Sequence, residues 1–261
     1  MKPLQIVIPM AGRGSRFAQV GFTDPKPLIP VGGQPMIQWV INNIRPQRPH
    51  LFTFICLAEH LERYPALAPR LREMCPGANI VPVKAVTEGA ACTVLLARDI
   101  IDTDAPLMIA NSDQVVEVAI DQYLAAGDDP AVDGWIMTFG SDHPKWSYAR
   151  LRPDGTVSEV VEKQVVSNEA TVGIYNFQRG SDYVRAADAM IAANFRVNGE
   201  FYVAPTYNQL IAKGKKIIVH RIGEEFDTMH GLGTPEDLEI FKNTAYCRDR
   251  SAGEAQPQPR G

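Results

Sequence analysis

Three groups of residues in this chain have types and spacing suited to chemistry on phosphate. The first is Ala11-Gly12-Arg13-Gly14-Ser15-Arg16-Phe17, with Lys26 further along the same connection. Glycines directly after an apolar strand let the backbone turn sharply and aim several N–H groups into one concavity, which suits phosphate oxygens. Arg16 and Lys26 add fixed positive charge. The second group is Asn111-Ser112-Asp113, a carboxylate following a short apolar run. A hard cation such as magnesium takes oxygen ligands, and triphosphate chemistry requires one. Taken alone, such an aspartate equally suits a cap on the following turn. The third group is spread over the second half: Val161-Glu162-Lys163, Thr171-Val172-Gly173-Ile174-Tyr175 and Gly199-Glu200-Phe201-Tyr202. Each is weak by itself, since Glu-Lys pairs usually line solvated faces.

These residues need elements that bring them together. Leu4–Pro9, Phe52–Leu57, Ile80–Val83 and Pro106–Ala110 read as strands. Between them, Met36–Ile44 carries Met36, Val40, Ile41 and Ile44 on one helical stripe, and Leu67–Met74 and Ala90–Ile101 also read as helices. Strand–helix alternation builds a parallel sheet, because each parallel pair needs a crossover. Asp113 then follows the C-terminal end of a strand, where open α/β sheets place ligand-binding groups.

The second half changes character. Trp135–Phe139 and Thr171–Phe177 read as strands, and Tyr148–Arg152 and Val157–Val161 flank Pro153-Asp154-Gly155 as a hairpin. Ser181–Ala193, Val203–Ala212 and Pro235–Ala245 read as helices, the last opened by Pro235 in its first turn, and Lys216–Arg221 as extended. We expect one domain over residues 1–250, with a nucleotide-binding half at 1–125 and an acceptor-binding half at 126–250. Ser251–Gly261 has two prolines and no large apolar side chain, the composition of a disordered tail.

The chain has 261 residues, 45% hydrophobic and 21% charged, enough for a substantial core without staples. A formal net charge of −4 speaks against wrapping nucleic acid or coating an anionic membrane, so a polyanionic substrate needs a local cationic cluster. No run approaches the roughly 18 apolar residues of a membrane helix. Leu4–Ala11 contains Gln5 and Pro9 and meets no small-residue cleavage site, unlike a secretion signal. The four cysteines Cys56, Cys75, Cys92 and Cys247 form no C-x-x-C pair, and we read them as reduced thiols of a cytoplasmic protein.

The loop itself admits few readings. A dinucleotide fold requires a glycine where Phe17 stands, and the acid after its second strand has only Glu59 to represent it. A Walker loop is absent. A plain glycine-rich turn with solvated charges stays open. Gly12-Arg13-Gly14-Ser15-Arg16-Phe17 followed by Pro25-Lys26-Pro27-Leu28-Ile29-Pro30-Val31-Gly32-Gly33-Gln34-Pro35-Met36 resembles the two-part signature of the sugar-phosphate nucleotidyltransferases, the sugar-nucleotide pyrophosphorylases. Further resemblance extends to Leu238.

The resemblance implies a Rossmann-like nucleotidyltransferase (GT-A-like) α/β fold, with a mostly parallel central sheet flanked by helices and an acceptor-binding lobe. It implies Mg2+-dependent transfer of a nucleoside monophosphate from a triphosphate to a small phosphorylated acceptor, of which a sugar 1-phosphate is the first expectation. Ala11, Gly12, Arg13, Gly14 and Ser15 would hold the triphosphate, Arg16 and Lys26 would act on phosphates during the reaction, and Asp113 would bind the metal. Glu88, Gly89, Ala90 and Asn111 would face the nucleotide. Glu162, Lys163, Gly173, Glu200 and Tyr202 would face the acceptor. Neither a nucleic acid nor a membrane is expected as partner, and a homo-oligomer is left open. A cytidylyltransferase for a non-sugar phosphate or phosphonate shares the loop, and a catalytically silent ligand-binding homologue is the alternative from another class. A metal-dependent glycosyltransferase usually shows D-x-D, where this chain has Ser112-Asp113-Gln114.

Two positions depart from the family pattern. Ala149 follows Tyr148 where glycine is common. In W-x-D-x-G-T-P the aspartate is a second metal ligand, and counting back from Gly233 puts Gly231 there. Asp227 is our choice for the second ligand, with Glu224, Glu225, or substrate oxygens and water as the other answers.

Overall fold

The computed structural model describes residues 2–253. Its first strand, β1 (Leu4–Met10), is apolar at almost every position and so can only be satisfied between two layers. Leu4, Ile6, Ile8 and Met10 pack on one side, with Ile37, Val40, Ile41 and Ile44 of α2 (Met36–Ile44). Val7 packs on the other. Fully burying each such side chain contributes about 1.5–3 kcal/mol. The period-2 strand facing a period-3.6 stripe therefore fixes this layer.

Before α2 come the short α1 (Ser15–Gln19) and a two-stranded ribbon, β2 (Pro30–Val31) and β3 (Gln34–Pro35). Beyond it the chain runs through β4 (His50–Leu57), α3 (Ala58–Arg63), α4 (Leu67–Met74), β5 (Asn79–Val83), α5 (Ala90–Leu95), α6 (Arg98–Ile101), β6 (Leu107–Ala110), β7 (Gln114–Val116) and α7 (Ile120–Leu124). β5, β4, β1 and β6 lie side by side, all parallel. The chain leaves β1 towards β4 and β5, then crosses back to place β6 on the other side of β1. That reversal opens a crevice beyond the carboxyl ends of β1 and β6. Gly12 and Asp113 follow those two ends.

The second half adds β8 (Gly134–Gly140), β9 (Ser147–Leu151), β10 (Val157–Glu162), β11 (Ala170–Phe177), α8 (Gly180–Ala192), α9 (Tyr207–Ile211), β12 (Ile217–Glu224), β13 (Met229–Gly231), α10 (Pro235–Lys242) and α11 (Ala245–Gly253). β11 joins the first half by pairing antiparallel with β6, and β9 and β10 extend the sheet beyond it. β8 also pairs with β11, and β12 runs parallel to β8. The fold is thus the expected Rossmann-like α/β architecture, a sheet flanked by helices. Its parallel half is extended by antiparallel strands.

The local differences from the sequence reading have physical causes. Ala90–Ile101 splits into α5 and α6, because Leu96 and Ala97 donate to Thr93 and Val94, three residues back, and tighten the coil. Val203–Ala212 opens as a 3-10 turn over Ala204–Thr206, where Pro205 has no N–H to give. Pro235–Ala245 stops at Lys242. Of the expected tail, Ser251–Gly253 closes α11, and 254–261 lies outside the described residues. Among the described residues no helix is long and apolar enough to cross a membrane.

Candidate active site

A separate small core holds the glycine loop in place. Phe17, where a dinucleotide fold would need glycine, is buried with Ile29, Val31, Trp39, Leu232 and Phe241. Its ring meets Phe22 edge to face at 5.4 Å. That anchor fixes α1 just beyond Gly14, which adopts φ +62°, a left-handed conformation costly for residues with Cβ. A Cβ at Gly14 would lie 3.2 Å from Cβ of Lys26. Glycine therefore lets the two halves of the motif touch.

The crevice holds a cavity of about 410 Å3, lined by Gly12, Gly14, Ser15, Arg16, Lys26, Asn111, Asp113 and Gly233 among others. Lys26 donates from its ammonium to Asp113 across the opening, and its Nζ lies 5.8 Å from the centre of the Phe17 ring. A second cavity, about 350 Å3, lies against β9, β10 and β11 and is lined by Lys145, Trp146, Glu162, Lys163, Gly173 and Tyr202 among others. Arg16, Asn111, Asp113 and Gln114 line both cavities. The two therefore meet at one point, between a guanidinium and a carboxylate.

Gly173 makes that junction possible. The N–H of Asn111 donates to its carbonyl at 3.0 Å. Its φ is +94°, and a Cβ there would come 2.3 Å from the Asn111 amide nitrogen. In the second cavity Ser147 donates to the buried carboxylate of Glu162. Burial pushes the Glu162 carboxyl above its ordinary range, and the Ser147 bond and the Lys163 charge only partly oppose it. Lys163, at φ +55°, donates from Nζ to the Tyr202 hydroxyl at 2.5 Å.

The expected nucleobase segment and the acceptor segment are joined. Phe201 N–H donates to Glu88 at 2.8 Å, and Ala91 N–H donates to Phe201 at 3.0 Å. Gly89 sits at φ +136°, and a Cβ there would fall 2.3 Å from the Phe201 carbonyl oxygen. Of this segment Ala90 reaches the second cavity, whereas Glu88 pairs with Arg196 at 3.1 Å.

Besides Glu88 and Gly89, which line neither cavity, four more expected residues fall elsewhere. Arg13 lines a separate hollow with His60 and Arg63, because Gly14 turns the chain immediately after it. Ala11 is buried beneath the loop among the side chains around Val7. Glu200 is exposed and lines neither cavity, since its backbone closes a local turn onto Val197. Asp227, the expected second metal ligand, is exposed in the turn between β12 and β13 and lines neither cavity. After that turn β13 runs antiparallel to β7, setting Gly231 opposite Gln114, and Leu232 N–H donates to the Asp113 carbonyl at 2.7 Å. A Cβ at Gly233 would lie 3.3 Å from Asp113 Oδ2. Glycine thus borders the carboxylate on the side where a second acid was sought.

For magnesium the donors present are oxygens of the right hardness. Asp113 offers a carboxylate, and Gln114 Oε1, buried at the junction, has no hydrogen-bond partner. Among the described residues no group of three or more His, Cys, Asp or Glu is placed to hold a metal. Such a donor set fits an ion that keeps waters and takes substrate oxygens.

Residues 5–193 match the nucleotidyl transferase family. The chain belongs to that family. A nucleoside-diphosphate-sugar pyrophosphorylase from Vibrio cholerae RC9 is 27% identical, with a TM-score of 0.74 over 92% of this chain and 100% of that one. A UDP-glucose pyrophosphorylase complexed with UDP-glucose shares the fold at 18% identity and TM-score 0.74, covering 95% of this chain and 100% of that one. An inositol-1-phosphate CTP transferase from T. maritima does so at 11% and 0.72, over 95% and 94%. The bifunctional protein GlmU of Methanococcus maripaludis is 25% identical over 81% of this chain and 48% of its own length. The chain thus spans about half the length of the curated relatives it matches.

Sequence reasoning missed Gln114, Trp146 and Lys145 as lining residues. Gln114 adjoins Asp113 and was visible as a polar neighbour. The other two carry no signal of their own, since their position depends on how β9 meets β11.

Proposed function

We propose that this chain is a magnesium-dependent nucleotidyltransferase that joins a nucleoside triphosphate to a sugar 1-phosphate and releases pyrophosphate. One observation carries the reading: two cavities, one floored by a glycine loop, meet at Arg16 and Asp113. The triphosphate lies along Gly12, Gly14 and Ser15, with its α-phosphorus at the junction. An acceptor phosphate oxygen enters from the second cavity and attacks the α-phosphorus in line. The bond to the bridging oxygen breaks and the β,γ-diphosphate leaves as pyrophosphate. Arg16 and Lys26 stabilise charge that grows on the leaving oxygens, more than they stabilise the resting substrate. Magnesium, held by Asp113, would neutralise phosphate charge and help orient the triphosphate. The names of the relatives, among them pyrophosphorylases acting on sugar nucleotides, support this acceptor class.

A cytidylyltransferase acting on a non-sugar phosphate is the second reading. It is favoured by the outward position of Glu200, which the resemblance assigns to sugar hydroxyls. The name of the inositol-1-phosphate CTP transferase supports this reading.

Incubating the protein with each triphosphate and a panel of phosphorylated acceptors tests both readings. Pyrophosphate should appear only when triphosphate and acceptor are both present, EDTA should stop it, and Asp113→Asn should reduce it by roughly 10³-fold or more, as for loss of a principal charge. Orthophosphate in place of pyrophosphate, or full activity in EDTA, would overturn the mechanism.

A further inference from the structure

The second cavity contains two cations, Lys145 and Lys163, that the reaction above leaves unused. Its positive side chains are Arg16, Lys145 and Lys163. A phosphate monoester carries nearly two negative charges at neutral pH, its second pKa being about 6. Arg16 at the junction and Lys163 beside Glu162 match those two charges. Asp113 is matched by Lys26. Glu162 accepts from Ser147, and burial favours its neutral form. The Lys145 ammonium remains.

Lys145 is held in place from behind. Its Nζ lies 2.7 Å from Glu225 Oε1 and 4.7 Å from the centre of the Trp146 ring. Glu225 does not line the cavity, and its other oxygen accepts from Trp146 Nε1 and Ser141 Oγ, each at 3.2 Å. The carboxylate therefore keeps two donors without the lysine, and the pair turns its positive end to the cavity. A cationic head group would find the aromatic faces taken. Lys163 Nζ sits 4.7 Å from the centre of the Tyr202 ring, as Lys145 does over Trp146.

We infer that the acceptor carries, besides its phosphate, a second anionic group of the carboxylate class, and that Lys145 is the residue that selects it. The inference rests on the second cavity being the acceptor site. Preferred acceptors are then acidic phosphate esters, sugar or not, rather than neutral or ammonium-bearing ones.

The test uses matched pairs: glucose 1-phosphate against glucuronic acid 1-phosphate, and glycerol 3-phosphate against 3-phosphoglycerate. Pyrophosphate release is followed with the full chain and its best triphosphate. The acidic member of the better pair should be favoured at least tenfold in kcat/KM, mostly through KM. Lys145→Met should lower that preference roughly 10- to 100-fold, the range for losing a charged hydrogen bond, and Lys145→Arg should keep most of it. A wild-type preference for the neutral member, or an equal loss on both members in Lys145→Met, overturns the inference. Should no acceptor yield pyrophosphate, the proposed reaction fails, and calorimetric binding of the same pairs decides the inference separately. Tighter binding of the acidic member that Lys145→Met abolishes sustains it, and equal binding of both members sinks it.

Discussion

Among the residues that line the first cavity are Gly12, Gly14 and Gly233, with Arg16, Lys26 and Asp113 as its charged side chains. The second cavity is lined instead by side chains held in pairs, Ser147 with Glu162 and Lys163 with Tyr202, and by Lys145, whose partner Glu225 lies outside it. On the proposed reading the first arrangement would recognise what every triphosphate shares, since N–H groups and fixed cations read only charge and shape. The second would read the rest of a particular molecule. A site built on backbone keeps its chemistry while its neighbour can be altered residue by residue.

Arg16→Ala and Lys26→Ala should break the first region at the level of chemistry. Each should lower kcat by roughly 10²–10³, as for loss of one preorganised charge donor. Melting temperature should hardly change for Arg16, whose side chain lines open cavities. Near-normal kcat with a fallen melting temperature would instead make either residue part of the scaffold.

The joint between the regions is the next place to press. Gly89→Ala puts a Cβ on the Phe201 carbonyl and forces a conformation reserved for glycine. Unfolding in denaturant should show a loss of about 1–3 kcal/mol, the ordinary cost of one strained backbone position. Acceptor KM should rise with it, because Phe201 leads directly into Tyr202. An unchanged acceptor KM in a folded variant would separate the base segment from the acceptor cavity.

The smallest effect concerns Glu162. Its folded pKa is raised by burial, so its favourable contribution is present below its unfolded pKa and is lost as pH rises through the folded value. Glu162→Gln keeps a neutral side chain at every pH. The variant should therefore match wild type in acid and equal or exceed its melting temperature at neutral pH. Parallel curves of melting temperature against pH for the two proteins would mean that Glu162 does not titrate differently on folding.

Much of this protein was legible in one dimension. The apolar positions of β1 and the stripe of α2 specify a buried strand under a helix, and Met36–Ile44 and Leu67–Met74 occupy the spans their periodicity demanded. Glycine spacing after β1, followed by Pro25-Lys26-Pro27, marked the loop that lines the first cavity, because a glycine-built turn depends on local conformation. Asp113 was readable for the same reason, as a residue at a strand end. Tertiary structure alone decided the rest. Antiparallel pairing of β13 with β7 left glycine beside Asp113 and Asp227 in an outer turn, and the turn at Gly14 sent Arg13 away from the cleft. Lys145 and Trp146 reach the second cavity through the meeting of β9 with β11, and Glu225 reaches Lys145 from a distant turn. Such contacts depend on long-range register, and a shift of one residue would reverse which side chains face the cavity.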